Sequence, residues 1–323
     1  MNRVIITGGN GFIGKHLVKK ILSYKTHSVA LISNTSNLND KYFLQDAPLK
    51  FYTADIRDRK AILDIFLDER AETCVHLAAK ISVVDSIKNP DETMDINVKG
   101  TVNVLEACHN SQVSNFVFAS SAAVYGDVRE LPISENHTLG PLSPYGTSKM
   151  LAEQHVSSYS KLKKIQNAVT LRIFNVYGNG QASESDVITK FASRLSKGFP
   201  PVIYGDGVHT RDFISVDDVV DAFLLSIRLM EEEEHDSNKD LSSPMVFNMG
   251  TGRPTSVNEL AQKMIEIFGL DLHPIYEEGK DDERVILHSY ADMTKARKIL
   301  HFVPKKGIGT GLREIIGPMV LRK

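Results

Sequence analysis

"RVIITGGNGFIGKHLVKKILSY" (Arg3–Tyr24) decides the fold. Four apolar or β-branched residues lead into a run of glycines, and the glycines lead into an amphipathic stretch. Gly8, Gly11 and Gly14 stand three apart between a strand and a helix. Glycine there lets the chain turn sharply and lets backbone amides at a helix N-terminus approach a pyrophosphate. Outward from this stretch the same alternation repeats. "HSVALIS", "LKFYTADI", "TCVHLAA", "NFVFASS" and "AVTLRIFNVYG" are short apolar runs separated by helical segments. Strands this uniformly apolar are buried on both faces, which predicts a doubly wound parallel sheet.

The alternation weakens after about residue 176, where "GNGQ" and "KGFPPVIYGDG" break it. "VDDVVDAFLLSIRLM" is apolar enough to return to the sheet, and "SVNELAQKMIEIFG" is a helix opened by Ser256 and closed by Gly269. The expected architecture is a Rossmann-type dinucleotide domain over 1–175 plus about 214–248. A smaller, partly interleaved substrate domain takes 176–213 and 249–323.

The chain has 323 residues, 42% hydrophobic and 24% charged, with a formal charge of −2. That balance gives no global field for nucleic acid or an anionic membrane. No apolar run reaches the ~18 residues a membrane span needs. Two cysteines, Cys74 and Cys108, fall in apolar segments and read as buried thiols of a cytoplasmic protein. No metal site is expected.

The end of the second strand, where an acid commonly meets the adenosine ribose, carries Ser33 and Asn34. NAD and NADP are both compatible with that. Asp55 and Ile56 follow the third strand, where Asp55 suits an adenine contact or a helix cap equally.

"SPYGTSK" (Ser143–Lys149) puts Tyr145 and Lys149 four apart, on one helix face. An ammonium one turn away is expected to lower the pKa of the phenol. "FVFASSAAVYG" ends a buried strand in two serines, and Ser121 is placed to share a substrate oxygen with Tyr145.

Taken in order, the glycine loop, "HLAA", "DINVKGT", "SSAAVYG", "YGTSK", "LRIFNVYG", "IYGDGVHTRDFISVDDV", "FNMGTG" and "SYADMTKA" cover nearly the whole chain. The set resembles the extended short-chain dehydrogenase/reductase family, in its nucleotide-sugar epimerase/dehydratase branch. The resemblance implies Ser121, Tyr145 and Lys149 as the catalytic trio. It implies a cofactor site of Gly8, Gly11, Phe12, Ile13, Gly14, Ser33, Asn34, Asp55, Ile56, Ala78, Ala79 and Lys80. Asn97 supports that site, and Tyr145 and Lys149 also reach the cofactor. Asn175 and Arg211 are the implied grips for a substrate diphosphate, with Arg284 standing in for a displaced tail arginine and Ser289 bordering the hexose.

In that branch, dehydratases and decarboxylases carry an acid just after the catalytic hydroxyl residue. Here Ala122 and Ala123 stand there. The resemblance therefore implies C4 epimerisation of a UDP-hexose with bound NAD. A homodimer is implied too, built on helices around Asp95–Asn110 and Tyr145–Tyr159. The alternatives are an NADP-dependent reductase of a 4-keto sugar and a non-catalytic NAD(P)-binding protein.

Overall fold

Alternate residues of the central strands face opposite ways, and both faces are apolar. In β1 (Asn2–Thr7), Val4 and Ile6 enter one core while Ile5 enters the other. β2 (His27–Ser33) divides Val29 and Leu31 from Ala30 and Ile32 in the same way. Such strands need helices on both sides. The computed structural model describes residues 2–36, 47–181, 186–233, 245–278 and 286–320.

The remaining strands of this sheet are β3 (Leu49–Thr53), β4 (Thr73–His76), β5 (Asn115–Ser121) and β6 (Asn167–Ile173). A late strand, Met245–Met249, adds beside β6. All seven are parallel, and the order across the sheet is Met245–Met249, β6, β5, β4, β1, β2, β3. The order reverses between β1 and β4, so a crevice opens past their carboxyl ends.

One face is covered by α1 (Phe12–Tyr24) and by a helix over Val216–Glu233. Lys20 of α1 donates to Asp221 of that second helix at 2.7 Å. The other face is covered by α2 (Arg59–Glu69) and by two helices over Gly100–Asn110 and Pro144–Lys161. Cys74 and Cys108 are free and buried in that second core.

Before Gly100 the chain forms short helices at Val83–Lys88 and Pro90–Met94, then one wider π-helical turn at Asp95–Lys99. Numbered in chain order, these are α3 (Val83–Lys88), α4 (Pro90–Met94), α5 (Gly100–Asn110) and α6 (Pro144–Lys161).

A second, four-stranded sheet joins segments far apart in sequence. Its members are β7 (Asn175–Tyr177), β9 (Thr210–Ser215), β11 (Pro254–Ser256) and β13 (His288–Ser289). Between them lie α7 (Val187–Leu195), β8 (Val202–Tyr204), α8 (Val216–Glu233), β10 (Met245–Met249), α9 (Val257–Phe268) and β12 (Ile275–Glu277), with β8 and β12 paired. α9 has the expected ends: Ser256 accepts from the Glu259 amide at 3.0 Å, and Gly269 closes the helix at φ +66°. A third core around Phe191, Leu260 and Leu312 lies under this region. No helix among the described residues is long and apolar enough to cross a membrane.

Candidate active site

The crevice at the sheet's switch point is a cleft of about 750 Å³. Gly8 and Gly14 make its floor possible. Gly8 has φ +70°, and a Cβ there would lie 2.6 Å from the Ala78 nitrogen. A Cβ on Gly14 would lie 2.5 Å from the Gly8 carbonyl oxygen. The β1 turn is thus pressed against the segment after β4, and Gly11 and Gly14 leave the start of α1 without side chains at those two positions. No side-chain hydrogen bond caps α1, and its first residues line the cleft. A glycine-flanked helix start with no side-chain cap suits a pyrophosphate, so the residues present fit a dinucleotide.

Phe12, Ile13, Gly11, Ser33, Asn34, Ile56, Ala78, Ala79 and Lys80 line this cleft along with Gly8 and Gly14. Asp55 lines it too. Its carboxylate accepts from Arg57 Nη2 at 2.7 Å, and that guanidinium holds its pKa below the usual carboxylate value. The cap of α2 is Asp58, which accepts from the Ala61 amide at 3.1 Å; the capping alternative for Asp55 does not hold. Asn97 does not line the cleft. It is fully buried in the π turn, where its side chain accepts from the Lys80 amide at 2.8 Å and donates to Lys80 O and Ser148 Oγ, each at 2.9 Å. It braces the wall from behind.

Ser121, Tyr145 and Lys149 converge on the same cleft. α6 starts at Ser143, whose hydroxyl accepts from the Gly146 amide, and Pro144 takes the first helical position. That start sets the face on which Tyr145 and Lys149 stand. The expected lowering of the phenol pKa is not what the structure shows. Burial pushes Tyr145 up, and only a hydrogen bond with Ser121 opposes it. Lys149 Nζ instead donates to Ala119 O at 2.8 Å and lies 4.9 Å from the Phe118 ring centroid. Burial also draws Lys149 down to about 8, with the Glu153 carboxylate working the other way.

Glu153 is one more turn along α6. It forms a buried ion pair with Arg172 of β6 at 2.7 Å and accepts from Ser120 Oγ at 2.5 Å. The pair reaches Ser120, the neighbour of Ser121 at the end of β5. The Tyr145–Lys149–Glu153 spacing of four carried the signal for it.

Asn175 lines the cleft; Arg211 and Ser289 do not. They are neighbours in the second sheet, Ser289 pairing with Arg211 across β13 and β9, and Asn175 pairs with Phe213 farther along β9. The Arg211 guanidinium turns back to donate to Thr210 O at 2.8 Å and Leu287 O at 3.4 Å. Ser289 is buried. Arg284 lies outside the described residues. Asn10, Thr35, Gln181 and Asp186 also line the cleft, which motif reading passed over. Asn10 donates to Thr35 Oγ1 at 3.1 Å, and Thr35 lies 3.1 Å from Ser33 Oγ, so these three form one polar edge at the end of β2. Asn10 lies inside the glycine loop, which was the available signal.

Comparison with known proteins agrees with this geometry. The NAD dependent epimerase/dehydratase family model matches residues 4–250. A UDP-glucose 4-epimerase from Thermotoga maritima, solved with UDP-glucose, superposes with a TM-score of 0.86 at 33% identity, covering 99% of this chain and 98% of that one. A UDP-glucose 4-epimerase from Lactobacillus helveticus is 31% identical over 94% of this chain and 92% of its own length. A dTDP-D-glucose 4,6-dehydratase from Dictyostelium discoideum is 32% identical over 83% of this chain and 62% of its own length. Identity alone therefore does not separate the two reactions. The chain belongs to the NAD dependent epimerase/dehydratase family.

Proposed function

We infer that this chain inverts C4 of a UDP-hexose, using NAD that stays bound from one turnover to the next. The observation that carries the epimerase reading over the dehydratase one is the pair Ala122–Ala123. These residues follow Ser121 directly, in a short helical turn where the Ser121 hydroxyl accepts from the Ala123 amide. Removing the C5 proton and expelling the 6-hydroxyl takes an acid and a base at this position, and methyl groups supply neither. Epimerisation takes only a group that moves the 4-hydroxyl proton both ways.

Tyr145 is that group. It takes the proton from the 4-hydroxyl and later returns it. NAD, held by the glycine loop and the Ala78–Lys80 wall, would supply reversible hydride chemistry at C4. Ser121 holds the sugar oxygen next to the phenol. The Ser121 hydroxyl favours the phenolate against the burial that opposes it, and Lys149 stands one turn along α6 facing the same cleft. Asn175 grips the diphosphate from the cleft side, and Arg211 swings from its two carbonyls to join it. A fixed nucleotide leaves the hexose free to turn over. UDP-glucose and UDP-galactose are the pair expected, with N-acetyl sugars admitted if the small Ser289 borders the ring.

The division of labour assigns 1–175 with about 214–248 to the cofactor, and 176–213 with 249–323 to the sugar nucleotide. The active form is a cytoplasmic homodimer joined through the helices around Asp95–Asn110 and Tyr145–Tyr159. Val83, Val84 and Ile87 of the neighbouring α3 are exposed and support an apolar contact there. Light scattering at the 35.9 kDa mass of one chain would exclude the dimer. The cofactor reading is tested by denaturing freshly purified protein and weighing the released nucleotide. NAD or NADH is expected. A site that arrives empty and consumes added NADPH in proportion to product would identify a reductase.

A further inference from the structure

His76, at the end of β4, is fully buried and stacks on Phe118 with ring centroids 5.8 Å apart. Its two nitrogens face two threonines. Nδ1 lies 2.6 Å from Thr7 Oγ1, and Nε2 lies 2.9 Å from Thr101 Oγ1. Counting protons gives the direction. Thr101 spends its single hydroxyl proton on Asn97 O at 2.6 Å, so it can only accept from the ring. Nε2 therefore carries a proton. Lys149 is close enough that its charge, together with burial, disfavours a second one. Nδ1 is then bare and accepts from Thr7, whose oxygen accepts in turn from the Ala78 amide at 3.3 Å.

The result is one unbroken run: Ala78 N–H to Thr7, Thr7 to His76, His76 to Thr101, Thr101 to Asn97. Asn97 continues it by holding the Lys80 backbone and the Ser148 hydroxyl, and Ser148 donates to the Tyr145 carbonyl at 2.7 Å. One end is the cleft wall at Ala78; the other is the first turn of the catalytic helix.

We propose that His76 is a positioning residue, held as the neutral Nε2–H tautomer, that ties the cofactor wall at Ala78–Lys80 to the helix carrying Tyr145 and Lys149. The tie acts on the reaction assigned above and rests on that reading. A ring of the other tautomer would set two lone pairs against each other at Thr101. A cation would leave Thr7 with no acceptor and place a positive charge near the Lys149 ammonium. Either change loosens the registry between wall and helix, and misplacement of about 1 Å can cost about 10²-fold in rate.

The test uses the holoenzyme with histidine labelled by nitrogen-15, beside two variants. In the wild type the His76 signals, assigned by their loss in His76→Gln or His76→Leu, should show a protonated Nε2 and a bare Nδ1 unchanged between about pH 5 and 8. His76→Leu should lower kcat about 10²-fold and lose NAD on gel filtration, with KM for the UDP-hexose little changed. His76→Gln keeps one donor and one acceptor and should recover most of both losses. A ring protonated on Nδ1, a ring that titrates in that range, or a leucine variant with wild-type kcat and retained NAD would overturn the proposal. Tautomer and NAD retention are read without sugar, so they stand or fall separately from the epimerase assignment.

Discussion

The two sheets of this molecule place their candidate site residues in opposite ways. In the seven-stranded sheet, each functional group comes from a loop at the carboxyl end of a strand, or from the helix after it. Gly8 through Gly14 follow β1, Ala78–Lys80 follow β4, and Ser121 ends β5. In the four-stranded sheet, Asn175, Arg211 and Ser289 come from strands of three, six and two residues that meet only after folding. The first arrangement is locked by backbone sterics and buried polar contacts. In the second, among the described residues, Arg211 donates to two backbone carbonyls. The difference teaches that the proposed cofactor side is held by more internal contacts than the side proposed for the sugar nucleotide.

The largest expected effect lies on the proposed cofactor side. Tyr145→Phe should lower kcat by about 10²–10⁴-fold while NAD and UDP-hexose affinities stay near wild type. A phenylalanine variant of wild-type turnover would mean that another group moves the proton.

Next is the strength of the lock itself. Arg172→Leu leaves the buried Glu153 carboxylate without its partner, and such breaks cost about 3–5 kcal/mol. Chemical denaturation should show a loss in that range. A loss below about 1 kcal/mol would place this pair with ordinary surface ion pairs and weaken the claim that the first sheet is the more firmly held region.

The smallest effect belongs to the side proposed for the sugar nucleotide. Arg211→Met should keep the fold and the bound NAD and raise KM for the UDP-hexose about tenfold, the worth of one charged hydrogen bond of roughly 1.5 kcal/mol. A variant that lost stability but not KM would show that the guanidinium serves the strands and never meets substrate.

The same contrast explains what could be read beforehand. The glycine loop was legible because Gly8 and Gly14 answer to local sterics, and the α9 ends because caps are local. The Tyr145–Lys149 pair followed from helical spacing. The direction of the Tyr145 shift did not. It depends on how deeply α6 is buried and on Lys149 finding Ala119 O, a residue thirty positions away. Asp55 lost its capping role to Asp58 by a matter of three residues, beyond what strand ends in a sequence can resolve. The pairing of Ser289 with Arg211 and the run through Thr7, His76 and Thr101 are products of tertiary structure, with no trace in local pattern.

The central claim is inversion at C4 without net redox change, and the anomeric proton NMR spectrum of a UDP-galactose incubation tests it most directly. The account predicts UDP-glucose accumulating toward an equilibrium mixture, with no added NAD consumed. A 4-keto-6-deoxy sugar, a pentose product or stoichiometric oxidation of NADPH would contradict it.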